Sequence, residues 1–361
     1  MADSCVKHRN ESRSRTAPLF SRGGLQIALL LVMVVSSGLL CGCSVSTKDA
    51  KAIVKEGKAV SQTLANDYDA LAKDEKARYD GFNHLQLALS NEGYLPDDPD
   101  FSSHYHDTVR PVGTVIAKFK KDAEDEKVLL DALKARADAA RKLNDLYVSL
   151  GSLVDYDASA EVSKSADNLS DAIQKLNNHK LTLTLPIDLG AQTKATALLD
   201  GAVKAFAKQQ RMREVRKNAP LIRQVLEGLT LLYRAELPAY KVILHTYYSD
   251  AKDVSDTLID SNDAFLMSRK KSFLDLYGLD IVAKPSDDTA IKTAEKTAAH
   301  KEVQRRYIDY VDQSQKDSDD LLTALCVLKV DHDRFEQRKH LTTGATDPDV
   351  QAYLTSLNQT H

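Results

Sequence analysis

The chain has 361 residues, 43% hydrophobic and 28% charged, with a net charge of −3. These ordinary globular proportions exclude a disordered or collagenous chain, and the mild negative balance argues against nucleic acid as a partner. With only 14 Gly, 9 Pro and no Trp, breakers are sparse, which points to long helices.

The N-terminal segment carries Lys7, Arg9, Arg13, Arg15 and Arg22 against Asp3 and Glu11, and residues 25–40 are uncharged. As a helix that uncharged run reaches about 24 Å, short of the ~30 Å hydrocarbon core of a bilayer. A signal h-region therefore fits it better than a permanent span. It closes on Leu40-Cys41-Gly42-Cys43. This arrangement resembles the signal peptide and lipobox of a bacterial lipoprotein; the resemblance ends there, and the rest of the chain matches no family by its motifs. It implies cleavage after Gly42, a diacylglyceryl group on the Cys43 thiol, and tethering to a membrane. Cys41 is the rival acceptor, but it would put bulky Leu40 at the cleavage position. Ser44, rather than Asp, follows the cysteine, and in Gram-negative lipoproteins this implies the outer membrane. Of the four cysteines, Cys5 and Cys41 then leave with the signal and Cys43 is acylated. Cys326 remains alone in an apolar stretch, where it reads as a small buried hydrophobe.

Beyond residue 43 helical periodicity dominates. Ile53, Val60, Leu64, Tyr68 and Leu71 mark a first helix from Ser46 or Thr47 to about Leu89, ended by the turn-forming run around Pro96 and Pro99. Ile116, Ala123, Leu130 and Ala137 then repeat every seven residues, as do Phe119, Glu126, Leu133, Ala140, Tyr147 and Val154, which reads as a coiled-coil-like seam faltering at Asn144 and Gly151. Val162, Ala166, Leu169, Ile173 and Leu176 place another helix over 158–178. The period-two stretch 180–190 reads as an extended crossover and as the place where two halves of the domain can meet. Helical spacing resumes over 191–217. It returns after Pro220, from Ile222 to Phe265, with a kink or break expected near Glu236 because Pro238 lies inside the pattern. After a loop at 279–287 one more helix runs to about Lys339, and from Thr342 the chain reads as a loop and a short helix. The expectation is an all-α fold of six or seven helices, several about 60 Å long, in an elongated antiparallel bundle or coiled-coil-like array.

Candidate chemistry is thin. His104, His106 and Asp107 share a loop and can in principle ligate a transition metal, although no further ligand is fixed by spacing. His332 and Glu336 lie four apart, but the paired Glu-x-x-His motifs of a di-iron bundle are missing. No nucleophile elbow, zinc-protease motif, phosphate loop or dinucleotide fingerprint occurs. Tyr233, Tyr240 and Tyr247 repeat every seven residues, which suits an interaction face as well as a core stripe. Two basic clusters, one formed by Lys208, Arg211, Arg213, Arg216 and Lys217 and the other by Arg269, Lys270 and Lys271, suit solvated helix surface or anionic headgroups. The sequence therefore points to an exported lipoprotein, residues 1–42 being signal peptide and 43–361 a helical domain. It is expected to have no enzymatic activity and no cofactor beyond the lipid on Cys43. It would act through an envelope protein or polymer. Alternatives are a metal-binding protein using the His104/His106 loop and a sensor holding a small ligand between its helices.

Overall fold

A computed structural model describes residues 47–91, 123–155, 158–181, 186–208, 215–260, 289–337, 339–342 and 344–359. Seven helices are present among them: α1 (Thr47–Asn91), α2 (Ala123–Asp155), α3 (Ser159–Asn178), α4 (Leu189–Lys208), α5 (Val215–Asp260), α6 (Thr289–Glu336) and α7 (Pro348–Asn358). No strand occurs among the described residues, and the fold is all-α. Ile116, Phe119 and Phe265, which the heptad and helical patterns included, lie outside the described residues.

Periodicity explains most of these elements. Ile53, Val60, Leu64, Tyr68 and Leu71 of α1 are all buried, and so are Val162, Ala166, Leu169, Ile173 and Leu176 of α3. Such a stripe needs a partner on its own side, and long antiparallel neighbours supply it. In α2 the expected seam is too narrow. Leu133, Ala137, Ala140 and Tyr147 are buried, but so are Leu129, Ala132, Arg136, Leu143, Leu146 and Leu150. The cause is that α2 packs against α1 on one flank and α3 on another, and touches α5. A two-helix seam cannot serve three neighbours.

Pro238 does not break its helix. The α5 run continues through both Pro220 and Pro238, and Ala235, Glu236, Leu237, Ala239 and Tyr240 around it are buried. Proline removes one helical donor, and the buried neighbours on the core side of that turn hold the helix through the loss. Here too the crossover docks: the Asp188 N–H donates to the Ala235 carbonyl at 3.1 Å. The Asp188 carboxylate then accepts the Ala191 N–H at 2.9 Å, capping the start of α4. At the described ends of this segment Leu181 is buried and Ile187 packs on the core.

Side-chain pairs fix the directions. Arg141 with Asp69, and Asn144 with the Lys58 carbonyl, run α2 antiparallel to α1. Gln192 with Glu236, and Gln224 with the Leu198 carbonyl, do the same for α4 and α5. Arg223 with Asp333, and His245 with Tyr307, do so for α5 and α6. Each of α1 to α6 contacts its successor, and α6 returns to contact α1. The six helices thus form a closed up-and-down array, with α7 packed on α6. One continuous core joins them, drawing on Ile53, Leu133, Leu169, Leu199, Tyr233, Leu325 and Val350, one from each helix.

Candidate functional site

Among the buried polar groups of the described residues, two clusters bear most on function. The first sits where α2 meets α5 across the array. Arg136 and Glu236 are 1% and 0% exposed. The Arg136 Nε donates to Glu236 Oε2 at 2.6 Å, and its Nη2 donates to Oε1. Its Nη1 donates to the carbonyls of Ala132 and His179, each at 2.9 Å. Glu236 also accepts from Gln192 Nε2 at 3.0 Å and from the Tyr240 hydroxyl. Tyr68 completes the hub from α1, hydrogen-bonded to Tyr240 with its ring edge-on at 5.8 Å. Burial disfavours the charge on Arg136, but the adjacent Glu236 carboxylate more than offsets this and raises its pKa. Burial next to the same carboxylate pushes both the Tyr68 and Tyr240 hydroxyls up, so neither is an acid at ordinary pH. Every oxygen of Glu236 is occupied by a donor from its own chain. This hub positions helices and leaves nothing over for a substrate.

The second cluster lies near the start of α1. Glu56 of α1 lies within electrostatic reach of Asp331 of α6. Asp331 in turn accepts the Thr342 N–H and hydroxyl from the segment after α6. Burial, then the charge of Asp331, hold the Glu56 carboxyl up at about 8. Beside them His332 Nε2 pairs with the Tyr147 hydroxyl of α2 at 2.8 Å, while its Nδ1 is buried without a partner. An imidazolium there would carry an N–H with no acceptor, and burial pulls the His332 pKa down to about 3. Gly57 makes the approach of α2 possible, because a Cβ at that position would overlap the Tyr147 ring.

The sequence-predicted site residues fare unevenly. Gly42, Cys43, His104, His106, Asp107, Arg269, Lys270 and Lys271 lie outside the described residues, as do residues 209–214 of the other basic cluster. Tyr233, Tyr240 and Tyr247 are a correction: all three are 2% exposed or less and form no outer face. Their heptad spacing points them inward, where Tyr233 and Tyr240 meet Tyr68 and the Tyr233 hydroxyl donates to Asp67 at 3.1 Å. Tyr247 packs edge-on against Tyr248. His332 and Glu336 do not converge, since His332 pairs with Tyr147 and Glu336 lies 3.5 Å from Arg223. Cys326 is buried, and burial raises its thiol to about 12, far from a nucleophile's range.

Sequence reasoning missed Arg136, Glu236, Glu56 and Asp331. The available signal was a charge at a core register. Arg136 falls on the stripe of Leu129, Leu133, Ala140 and Leu143, and Glu236 falls beside Leu232, Tyr233 and Tyr240. Among the described residues no three His, Cys, Asp or Glu side chains gather as a metal site, and no helix is long and apolar enough to cross a membrane. No protein-family model, curated protein or solved structure matches the chain.

Proposed function

We propose that this is a lipid-tethered helical protein of a bacterial envelope, held to its membrane through Cys43 and working without catalysis as an interaction or scaffold protein. The observation that carries the reading is the position of α1. It begins at Thr47, so Ser44, Val45 and Ser46 allow at most about 14 Å between the acylated residue and the helix. Packed against α2, α5 and α6, α1 passes any load from the anchor directly into three other helices. The buried reactive groups support the absence of catalysis, because they are consumed in pairs that hold helices together. Membrane binding of the lipid is strong enough for this role: each buried methylene contributes about 0.8 kcal/mol, and two chains give stable anchoring.

Labelled palmitate fed to cells producing the full chain tests the tether. Incorporation that survives Cys41→Ser and disappears in Cys43→Ser is the expected result; no label in the unaltered chain, or label retained in Cys43→Ser, overturns it. In-cell crosslinking with mass spectrometry then tests the interaction role. Surface positions such as Val242 and Ile308, 39% and 47% exposed, replace the buried tyrosines as sites to alter. A captured envelope partner lost on altering the exposed surface supports the role, and recovery of the chain alone counts against it.

A further inference from the structure

Opposite the line of Leu321, Leu325 and Leu328 that faces the core, α6 carries a stripe of Asp312, Lys316, Asp319, Thr323, Cys326 and Val330, spaced by fours and threes. Its first three members are exposed, but Cys326 and Val330 are 0% and 5% exposed. What covers them is α7. Arg334 of α6 reaches Asp347 at 2.7 Å, and the Lys329 ammonium lies 4.4 Å from the centre of the Tyr353 ring. The chain of α7 therefore runs antiparallel to α6, and the stripe passes between these two anchors. Continued for one turn, the same register sets Leu357 of α7, itself buried, about level with Cys326.

The hold of α7 on the array is light. With 11 residues it is shorter than a helix that is stable by itself, and Val350 and Leu357 are its buried residues. Charge fixes its start. Arg334 donates to both oxygens of Asp347, at 2.9 and 2.7 Å, and to Asp349 at 3.1 and 2.7 Å. Asp347 also caps the helix, accepting the Asp349 N–H at 3.0 Å, so the start of α7 and its grip on α6 depend on one carboxylate. At the far end Asn358 accepts from Arg234 of α5 at 3.1 Å. Docking leaves the Tyr353 hydroxyl buried with no partner among the described residues, a cost that release removes. We propose that α7 is a releasable strap over the apolar end of the α6 stripe, with Arg334 as its clasp. When Arg334 parts from Asp347 the strap lifts and uncovers Cys326 and Val330. The six long helices stay packed, because α6 closes the array on α1 without α7. Cys326 is the one cysteine past residue 43, so lifting converts a shielded thiol into an accessible one. This holds whether or not Cys43 is acylated.

The test is pulsed alkylation of the folded full chain with iodoacetamide, with mass spectrometry resolving Cys326 from Cys5, Cys41 and Cys43. Cys326 is expected to label slowly in the unaltered chain and about tenfold faster in Arg334→Ala. Amide hydrogen exchange at Leu169 in α3 is expected to stay equally protected in both. Leu357→Ala loosens the strap from its apolar side and is expected to speed labelling about tenfold as well; it decides the matter if Arg334→Ala does not fold. Labelling in the unaltered chain as fast as in urea overturns the cover, and an unchanged rate in the variants overturns the strap. So does a rate that rises only in step with lost protection of Leu169, since the thiol is then reached by unfolding the whole array.

Discussion

The hub and the Glu56–Asp331 pair are both charged groups at helix contacts, yet they are built on opposite principles. At the hub a cation meets an anion in a two-point bond, and Gln192 and Tyr240 fill the remaining acceptor positions of Glu236. At Glu56 and Asp331 two acids are neighbours, and burial together with the Asp331 charge holds the Glu56 carboxyl up. Burial at the hub therefore makes a junction with no titration near neutral pH, because an arginine does not deprotonate in this range. Burial beside a like charge instead raises a carboxyl toward neutral pH. What separates them is the sign of the partner, and exposure is secondary.

The largest expected effect breaks the hub. Arg136→Met leaves Glu236 buried and unpaired, a loss of about 3–5 kcal/mol, whereas replacing both partners with apolar residues of similar volume restores much of it. Urea denaturation of Arg136→Met, Glu236→Met and the double variant is the check. A double variant as unstable as the sum of the singles would mean that the pair contributes little coupling energy and that the hub is not a unit.

Next in size is the pH dependence that separates the two clusters. Folded Glu56 keeps its proton to about 8, against 4.5 when unfolded. Its stabilisation is thus complete below 4.5 and fades as pH rises through 8. His332 works the other way: folded it charges only near 3, against 6.5 unfolded, so its share is complete above 6.5 and fades as pH falls through 3. Between 4.5 and 6.5 the two slopes cancel. From 6.5 to 8 the Glu56 slope is no longer opposed by His332, and stability is expected to fall as pH rises. Glu56→Gln is expected to flatten that fall and Arg136→Met to leave it in place. Urea midpoints measured across the range distinguish them, and an unaltered chain with no loss between 6.5 and 8 would remove the asymmetry drawn here.

How much of this was readable beforehand follows from what each residue type signals. The helices were legible because apolar residues recur with the helical period, and for α3 every position expected to be buried is buried. The break that Pro238 could have caused does not occur, because buried neighbours on the core side of the turn hold α5 continuous. The tyrosine spacing was legible as a stripe, but spacing alone does not say whether a stripe faces core or partner. The hub and the Glu56–Asp331 pair were illegible as pairs. Their members stand 100 and 275 residues apart in sequence, and nothing local says which core-register charge meets which. Arg136 and Glu236 each carried a usable signal, as a charge on an otherwise apolar face.

Gly57→Ala sharpens the comparison at smaller cost. Alanine gains about 0.8–1 kcal/mol in helix propensity over glycine, but its Cβ would overlap the Tyr147 ring, and overpacking of this kind costs about 1–3 kcal/mol. The net expectation is a loss of about 1 kcal/mol, reversed to a gain when Tyr147→Leu opens the space. Because Tyr147 holds His332, Gly57→Ala should also perturb the acid limb of the pH profile, where His332 acts, and not the hub.

The smallest expected effect lies on the same α1–α2 contact, at its surface. Arg141 and Asp69 approach to 2.7 Å but are 44% and 51% exposed, where water screens the pair and the side chains give up rotamer freedom to meet. Arg141→Ala is therefore expected to change stability by about 0.5 kcal/mol or less, and 1 M salt should remove even that. The same denaturation series that measures Arg136→Met measures this one. If Arg141→Ala proved as costly as Arg136→Met, burial would not be what gives the hub its strength, and charge pairing anywhere along the α1–α2 contact would have to be credited instead. A near-neutral result leaves desolvation as the variable that sets the hub apart from exposed pairs such as Arg141 with Asp69.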